Sequence, residues 1–446
     1  MALMARTRRS VIKSTFLTSG ALALAACGGQ PEAASAPTAK LAGTLEFWHW
    51  GITYNEGYET LVKEFQEKNP GATINRKQTD QDQVQIPVTM AAGSGGPDVY
   101  MMRGPNFRSW ANSGLTADVT SYLSRDKQAS ADFKTVLKPV QDFYVLNGKT
   151  MGMPWDLSTI SVAFNLEQLD KVGLKSPADL GAGWDWNQFM EYCKRLNPGD
   201  GNKYAVDTDW GTERGWTNWA SANGGKLWSD DYKTITVNTA ENIEAMDAFF
   251  GVASRLKAAP PRDWIAQQTT GLPHAAYRLI NGIVYMQQAG DWFFPWYSRE
   301  SSFKWDVAPI PFSPKTKKTG SAANLRGSTL APTAQNKDLA WAWMAFLLRR
   351  EQQDRVPQMM GEVPARSDSI DSVYLNTTKL PQPKSRKLLK ASLDATTPLP
   401  SHPLIAPADL SATLNLALDI YDGKRQTRDV VTEIQDKLTA FVKNAK

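Results

Sequence analysis

Indole side chains stand beside charged side chains at points where strands are expected to end. Trp50 closes the apolar run TLEFWHW, and the pairs Trp155-Asp156 and Asp291-Trp292 repeat the arrangement further along the chain. A tryptophan offers a flat apolar face that suits the C–H side of a sugar ring, while a charged neighbour can hydrogen-bond the ring's hydroxyl groups. Ligands bind at strand carboxyl ends in open α/β sheets. The residues of this kind are Trp50, Arg103, Trp155, Asp156, Glu213, Trp216, Asp291, Trp292 and Arg326.

The competing explanation for these tryptophans is that they fill the core. The sequence holds 16 Trp against 13 Tyr, an unusual excess, and tryptophan is the largest core side chain. A buried indole, however, needs a partner for its N–H group, so a position at a strand end beside a charge suits a binding role better. We therefore predict a carbohydrate site from the tryptophans that have charged neighbours.

Motifs for nucleotide, zinc and serine-hydrolase chemistry are absent from the sequence. It contains no GxxxxGK[ST], HExxH or GxSxG motif, and only three histidines. The acidic pairs Asp207/Asp209 and Asp230/Asp231 lack the further oxygen ligands of a calcium loop. We expect no metal and no cofactor. Two carboxylates anywhere in the chain could still hydrolyse a glycoside, so a secreted glycoside-active enzyme stays open as an alternative.

Length and composition indicate an ordinary globular protein. The chain has 446 residues, enough for two or three structural units, with 42% apolar and 21% charged residues. Its two cysteines exclude a disulfide framework. The first 26 residues hold four of the 50 basic residues and none of the 45 acidic ones, so the charges of the remainder nearly cancel. That balance argues against binding to nucleic acid.

The N-terminus reads as an export signal. A basic stretch is followed by an apolar segment over 15–26, which predicts a secretory signal peptide over 1–26. LAAC at 24–27 resembles a bacterial lipobox and implies cleavage before Cys27 and lipid attachment to it. TRRSVIK resembles a twin-arginine signal, so the export route is either Sec or twin-arginine. Residues 27–43 would form the lipidated Cys and a flexible tether in the periplasm or on the outer cell surface.

Hydrophobic periodicity predicts the elements that position the candidate residues. Strands over 44–50, 72–75 and 97–102 alternate with helical patterns, which indicates βαβ units and a parallel sheet. Asn147-Gly148 predicts a hairpin, and Cys193 falls on the core face of a helix. The other predicted elements are strands over 156–165, 282–288 and 305–311 and helices over 58–65, 84–92, 186–196, 240–256, 337–353, 408–421 and 427–441.

Several segments, in order, resemble the extracellular solute-binding proteins of family 1, the maltose-binding-protein-like receptors of ABC sugar importers. TLEFWHWG with YETLVKEFQEKNPGATIN is similar to the family's first strand and helix. AAGSGGPDVYMMRGPNFRSWANSGLTADVTSYL is similar to its most recognisable block, and GKTMGMPWDLSTISVAFNLEQLDKVGL to the segment that enters the second lobe. WDWNQFMEYCKRL, GIVYMQQAGDWFFPWY, STLAPTAQNKDLAWAWMAFLL and GEVPARSDS continue the series. The resemblance covers residues 44–445.

The resemblance implies an α/β fold of the type II periplasmic-binding-protein class, with two lobes joined by a multi-strand hinge. The chain would cross between the lobes near 153–156, 311–326 and 363–366. The N-terminal lobe would comprise 44–154 plus 320–363, and the C-terminal lobe 155–319 plus 364–446. The implied protein is a monomeric receptor, not an enzyme, that hands its ligand to permease subunits and their ATPase.

The resemblance also implies ligand contacts at Trp50, Arg103, Trp155, Asp156, Glu213, Arg214, Trp216, Asp291, Trp292, Arg326 and Gly327. Two departures from the maltose-type members stand out. Gly104-Pro105-Asn106 replaces their Asp-Arg after the third strand, and Arg214 stands where a tyrosine is common. We therefore do not infer the ligand of this protein from that of the maltose-type members. A mono- or oligosaccharide is expected, and a polyol, a glycerophosphodiester or a peptide stays open, as does a scaffold lipoprotein without a small ligand.

Overall fold

The computed structural model describes residues 41–51, 54–80, 82–93, 95–208, 214–272, 274–376 and 383–445. The predicted signal peptide, Cys27 and most of the predicted tether lie outside these residues, and so does Glu213. Within the described residues, no helix combines the length and the apolar character that crossing a bilayer requires.

The strands are β1 (Ala42–His49), β2 (Gly71–Gln78), β3 (Val99–Met102), β4 (Val145–Leu146), β5 (Lys149–Thr150), β6 (Met153–Leu157), β7 (Ile160–Asn165), β8 (Tyr204–Asp207), β9 (Val284–Gly290), β10 (Trp305–Pro309), β11 (Ser321–Ala323), β12 (Leu325–Leu330), β13 (Val363–Pro364) and β14 (Thr396–Pro398). A six-stranded sheet has the order β13-β6-β12-β3-β1-β2 and a four-stranded sheet the order β10-β7-β9-β8. Two small sheets, β11-β14 and β4-β5, complete the set among the described residues.

The helices are α1 (Asn55–Lys68), α2 (Asp82–Ala92), α3 (Gly104–Asn112), α4 (Thr120–Arg125), α5 (Lys127–Lys134), α6 (Lys138–Phe143), α7 (Leu166–Lys171), α8 (Trp186–Leu196), α9 (Trp216–Ala222), α10 (Ala240–Ser254), α11 (Arg262–Gln268), α12 (Tyr277–Ile280), α13 (Phe294–Glu300), α14 (Lys337–Leu348), α15 (Arg350–Gln353), α16 (Val356–Met360), α17 (Ser367–Ser369), α18 (Leu389–Asp394), α19 (Pro407–Leu414), α20 (Leu418–Tyr421) and α21 (Thr427–Asn444). Short 3₁₀ segments and a π-helix at Ile370–Leu375 lie between them.

The first sheet begins as the predicted βαβ unit. β1 pairs in parallel with both β2 and β3, so α1 and α2 are crossover helices. Its core is aromatic: the rings of Phe47 and Phe65 both lie 5.4 Å from that of Trp343 on α14. α14 is buried on nearly every side, as expected for a helix that is apolar over most of its surface.

The second sheet is mixed and has a separate core. β7 pairs antiparallel with β9 and β10, and β8 is parallel to β9. Trp219 packs against Phe189 and Phe249 at ring distances of 5.4 and 5.8 Å. Cys193 is fully buried in this core, which confirms its predicted place on the inner face of α8. The predicted hairpin is also confirmed, because β4 and β5 flank Asn147-Gly148, both at positive φ.

Two predicted elements are wrong in extent. The strand expected over 156–165 is two strands in different sheets, because the chain leaves the first sheet after Leu157 and joins the second at Ile160. The helix expected over 337–353 is interrupted at Arg349, whose ψ is 148°. The interruption turns Gln353 inward, where its amide donates to the Trp155 carbonyl (2.8 Å) and accepts from the Ala365 N–H (2.8 Å).

The lobe boundaries stay a prediction, but the structure shows which strands belong to each sheet. Segments β1–β3, β6, β12 and β13 form the first sheet, and β7–β10 form the second. The chain passes between the sheets at Ser158-Thr159 and again between β10 and β12. The C-terminal helix α21 packs into the core of the second sheet.

Candidate ligand-binding site

One edge of the first sheet collects residues from five neighbouring strands. Trp50 immediately follows β1 and Arg103 immediately follows the parallel strand β3. Arg326, near the start of the antiparallel strand β12, lies opposite Asp156 near the end of β6, and Asp156 also pairs with Pro364 of β13. Strand direction alone therefore brings these side chains to a common edge.

The second sheet presents a matching edge. β9 ends at Gly290, and Asp291 and Trp292 follow it directly. Gly290 pairs with Ile160, the first residue of β7, so this edge adjoins the chain that arrives from β6. Two residues, Ser158 and Thr159, join the edge of one sheet to the edge of the other.

Trp50 and Arg103 form a half-buried pair at the first edge. The Arg103 guanidinium carbon lies 4.1 Å from the centre of the Trp50 ring, within the range of a cation–π contact. Arg103 Nη2 also donates to Asp82 Oδ1 at 2.6 Å. Burial raises the pKa of Asp82, and the positive charge of Arg103 opposes that rise. The ion pair fixes the guanidinium over the indole.

Trp292 and Arg214 form a similar half-buried pair at the second edge. The Arg214 guanidinium carbon lies 5.5 Å from the centre of the Trp292 ring. The Arg214 carbonyl accepts a hydrogen bond from Gln288 Nε2 of β9 at 2.9 Å, which fixes its backbone to the sheet. Trp292 folds over Gly290, where a Cβ would meet the indole at 2.0 Å. Glycine is therefore required there for the indole to take this position.

A buried charge cluster lies where the two edges meet. The guanidinium of Arg326 contacts Asp156 through Nε, and its Nη2 lies 2.6 Å from Glu362 Oε2. Tyr54 donates its hydroxyl to Glu362 Oε1 at 2.9 Å. Asp291 accepts a hydrogen bond from the Thr159 N–H at 3.2 Å. The second-sheet edge thus reaches the same cluster as the first.

This cluster holds more carboxyl groups than positive charges among the described residues. Burial raises the pKa of Asp156 to about 7, and the attraction of Arg326 offsets only part of that rise. Burial and the nearby negative charge of Glu362 raise the pKa of Asp291 well above its ordinary value. A protonated carboxyl can donate a hydrogen bond as well as accept one, so the cluster can carry protons near neutral pH.

Three of the predicted contact residues face the core in this structure. Trp155 is 1% exposed and its ring lies 5.9 Å from that of Tyr58. Trp216 is fully buried at the start of α9. Gly327 lies within β12, where a Cβ would come within 2.5 Å of the Tyr144 hydroxyl and the Met153 carbonyl. Their assignment as ligand contacts stays a prediction, and their geometry here is that of packing.

Some members of the charge cluster were not predicted from the sequence. Glu362 is one of them, although a single acid immediately before a short strand is a signal that could have identified it. Tyr54 and Thr159 enter through a hydroxyl and a backbone N–H, and their residue types carry no comparable signal. Among the described residues, no group of three His, Cys, Asp or Glu side chains has the arrangement of a metal site.

Solved structures share this fold. ABC substrate-binding protein Lmo0181 from Listeria monocytogenes, solved with cycloalternan, is 22% identical with a TM-score of 0.76, over 89% of this chain and 98% of that chain. The GacH receptor of Streptomyces glaucescens, solved with acarbose, is 18% identical with a TM-score of 0.73, over 91% and 100%. UgpB from Mycobacterium tuberculosis, solved with glycerophosphocholine, is 18% identical with a TM-score of 0.71, over 90% and 99%.

These structural matches confirm the predicted fold class, a two-lobe α/β fold like that of maltose-binding protein. The sequence family described as bacterial extracellular solute-binding protein matches residues 60–382 of this chain. That segment contains most of the first sheet and all of the second. It also contains Arg103, Arg214 and Trp292, whereas Trp50 precedes it. The chain therefore belongs to the bacterial extracellular solute-binding proteins.

Proposed function

We propose that this protein is the receptor of an ABC importer and that it binds a mono- or oligosaccharide between its two lobes without chemically changing it. The observation that carries the proposal is the pair of half-buried indoles, Trp50 and Trp292, one at the end of a strand in each sheet. Each is stacked with an arginine, Arg103 or Arg214. A sugar between them would meet an apolar ring face and a set of hydrogen-bond donors at both edges.

Unpaired polar atoms near these edges also suit a hydroxyl-rich ligand. Trp50 Nε1 and Arg103 Nε are buried donors with no partner among the described residues. Asp156 Oδ2 and Asp291 Oδ2 are buried acceptors that likewise have no partner among the described residues. Buried polar groups are normally hydrogen-bonded, and a ligand that carries both donors and acceptors could satisfy all four after a small rearrangement.

Ligand capture would work through the difference in affinity between an open and a closed arrangement of the lobes. A ligand that contacts both edges stabilises the closed arrangement, whereas a ligand that contacts one edge alone shifts nothing. The short connection at Ser158-Thr159 is one of the segments about which the lobes would rotate. The closed receptor would then deliver its sugar to the permease subunits and their ATPase.

The solved structures support an oligosaccharide as the cargo. Cycloalternan and acarbose are the ligands named for two of them, and glycerophosphocholine for the third. The two arginines at the indoles would attract the phosphate of glycerophosphocholine and repel its quaternary amine, so their charge does not separate the two kinds of ligand, and the preference follows from the two sugar-bound structures. We therefore favour the carbohydrate over the phosphodiester.

The same proposal places the protein outside the cytoplasm on a lipid anchor. Its basis is the sequence alone: the signal-like segment over 1–26 and the lipobox that ends at Cys27. Replacing Cys27 with Ser should move the protein from the membrane fraction to the soluble extracellular or periplasmic fraction. Retention of the Cys27→Ser protein in the membrane fraction would exclude the anchor.

The binding site is tested by truncating one indole. Trp292→Ala should weaken binding of malto- and isomalto-oligosaccharides by about tenfold or more in calorimetry, the usual cost of removing an aromatic anchor. Trp264→Ala is the matched control, because Trp264 is also half-buried but packs on Tyr204 at 5.2 Å, away from both edges. Equal affinities in the folded Trp292→Ala and Trp264→Ala proteins would refute the site.

The enzyme alternative is tested on the same samples. Asp156, Asp291 and Glu362 are the carboxyl groups that a glycoside-active enzyme could use at this site. Incubation with the oligosaccharides, followed by chromatography, should return them intact although they raise the Tm of the protein. Release of shorter sugars in amounts that grow with protein concentration would show a glycoside-active enzyme instead.

A further inference from the structure

A cavity of about 530 Å³ lies apart from the two tryptophan–arginine pairs. No predicted ligand-contact residue within the described part of the chain lines it. Its walls come from α3 and α6, from α9 and the loop that follows, and from the segment around β14. The volume is in the range of small-molecule sites, and most of the wall is apolar, including Leu227, Trp228 and Leu399.

Arg108 of α3 brings an uncompensated positive charge to this cavity. Its guanidinium carbon lies 4.8 Å from the centre of the Tyr232 ring and 5.2 Å from that of Phe143. Among the described residues, the guanidinium has no ion-pair partner and no hydrogen-bond acceptor. Burial lowers the pKa of Arg108. An arginine stays protonated in proteins, so its five N–H donors are available to an anion.

The acidic residues of the wall do not neutralise Arg108. Asp142 is paired with Lys138, and Asp230 with Lys226 at 2.8 Å. All four of these side chains are largely exposed at the rim. The net positive charge of the cavity therefore resides on the partly buried guanidinium.

One aromatic residue of the wall, Tyr232, contacts Arg108 and is held in a strained backbone conformation. Tyr232 has a φ of 60°, which is rare for an aromatic residue. His402 fixes it, because its Nε2 lies 3.1 Å from the Tyr232 carbonyl and its ring contacts Tyr232 and Trp228 edge-on at 5.4 and 5.1 Å. Strain of this kind persists where the surrounding structure imposes it, commonly at ligand sites.

We propose that this cavity is a second ligand site, which binds a small organic carboxylate through Arg108 and covers its apolar body with Trp228 and Tyr232. The carboxylate accepts hydrogen bonds from the guanidinium, and the apolar body lies against the indole and phenol rings. The site does not depend on the proposed carbohydrate site, because the two share no residue.

The test uses cinnamate and its neutral amide, cinnamamide, as matched probes in calorimetry on the purified protein. Cinnamate should bind at least tenfold more tightly than cinnamamide, because only the carboxylate accepts charge-assisted hydrogen bonds from Arg108. Arg108→Gln should lower cinnamate affinity to that of cinnamamide. Arg125→Gln is the control, since Arg125 also stacks on a tyrosine, Tyr122 at 4.2 Å, but lies outside the cavity.

Tyr232→Gly provides a second variant, in which relief of the positive φ offsets part of the cost of losing the ring contacts with Trp228 and His402, and circular dichroism checks its folding. It should weaken both probes alike, because it removes a wall and leaves the charge. The proposal is overturned if neither probe binds, if both bind equally, or if the Arg108→Gln or Tyr232→Gly protein binds cinnamate as tightly as the natural protein does. Trp292→Ala should leave cinnamate binding unchanged, which separates this site from the carbohydrate site.

Discussion

Arg326 lies among the buried carboxyl groups of Asp156 and Glu362 and is 2% exposed. Removing its charge would leave these carboxyl groups without compensation in a medium that solvates charge poorly. Arg326→Met should therefore lower the free energy of unfolding by about 3–5 kcal/mol, the usual cost of breaking a buried ion pair. Urea denaturation measures this change. Arg125→Met, which removes an exposed partner of Asp338, should cost less than about 1 kcal/mol.

Protonation of Asp156 predicts a specific pH dependence. Its folded pKa, raised by burial to about 7, exceeds its unfolded value, so the folded state keeps a proton that the unfolded state releases. The stability from this proton is complete below about pH 4 and is lost as the pH rises through 7. Asp156→Asn should therefore gain stability relative to the natural protein between pH 4 and 7, measured by urea midpoints. A difference that is constant with pH would contradict it.

The stability of the Asp156→Asn protein is compared with that of the natural protein at each pH, because two histidines change the stability in the opposite direction. Burial lowers the pKa of both His49 and His402 to about 4, so each favours the folded state more as the pH rises from 4 to 6.5. These contributions are common to the natural and Asp156→Asn proteins and cancel in the difference.

At the level of single side chains, the sequence predicted where a residue lies along its strand better than it predicted which atoms its side chain contacts. Trp50 and Trp292 are half-buried at strand ends as expected. Trp155, beside an acid in the same way, faces the core because it lies within β6, a strand whose residues are all buried. Which face is buried depends on the layers packed on the sheet, and one sequence does not contain that information.

At the level of elements, periodicity identified most helices and strands but not which sheet a strand joins. Residues 156–165 are continuously buried in both halves, so their pattern contains no sign of the passage between sheets at Ser158-Thr159. The interruption of the long helix at Arg349 also has no local signal. It accompanies hydrogen bonds that the Gln353 amide donates to the Trp155 carbonyl and accepts from the Ala365 N–H, and Trp155 is distant in the sequence.

Gly327 illustrates an element whose packing requires a glycine. A Cβ there would come within 2.5 Å of the backbone carbonyl of Met153 on the neighbouring strand β6. Gly327→Ala should therefore lower the free energy of unfolding by about 1–3 kcal/mol, as overpacking does. Gly183→Ala is the control, because a Cβ at Gly183 meets no atom within 4 Å. An unchanged urea midpoint in Gly327→Ala would show that β6 and β12 can separate freely.

For the whole molecule, the periodic patterns predicted βαβ units and a parallel sheet, whereas the two-lobe fold was predicted only through the resemblance to a known family. Each βαβ unit has its own periodic signal, and parallel strands then present their carboxyl ends at one edge. The cluster of Arg326, Asp291 and Glu362 was not predictable to the same degree, because it joins residues from the segment after β9, from β12 and from the segment before β13. Its members meet only when both sheets are assembled.

The arrangement of both sheets leads to a prediction about shape in solution. If the ligand contacts the edge at Trp50 and the edge at Trp292, then binding should draw the lobes together, and the radius of gyration from small-angle scattering should fall. Trp292→Ala should keep the ligand-free value at a sugar concentration that saturates the natural protein, and about tenfold more sugar should restore the decrease. Trp264→Ala should respond like the natural protein. A constant radius of gyration in a sample that calorimetry shows to be saturated would mean that the sugar binds without closure, and the hinge at Ser158-Thr159 would then have no part in capture.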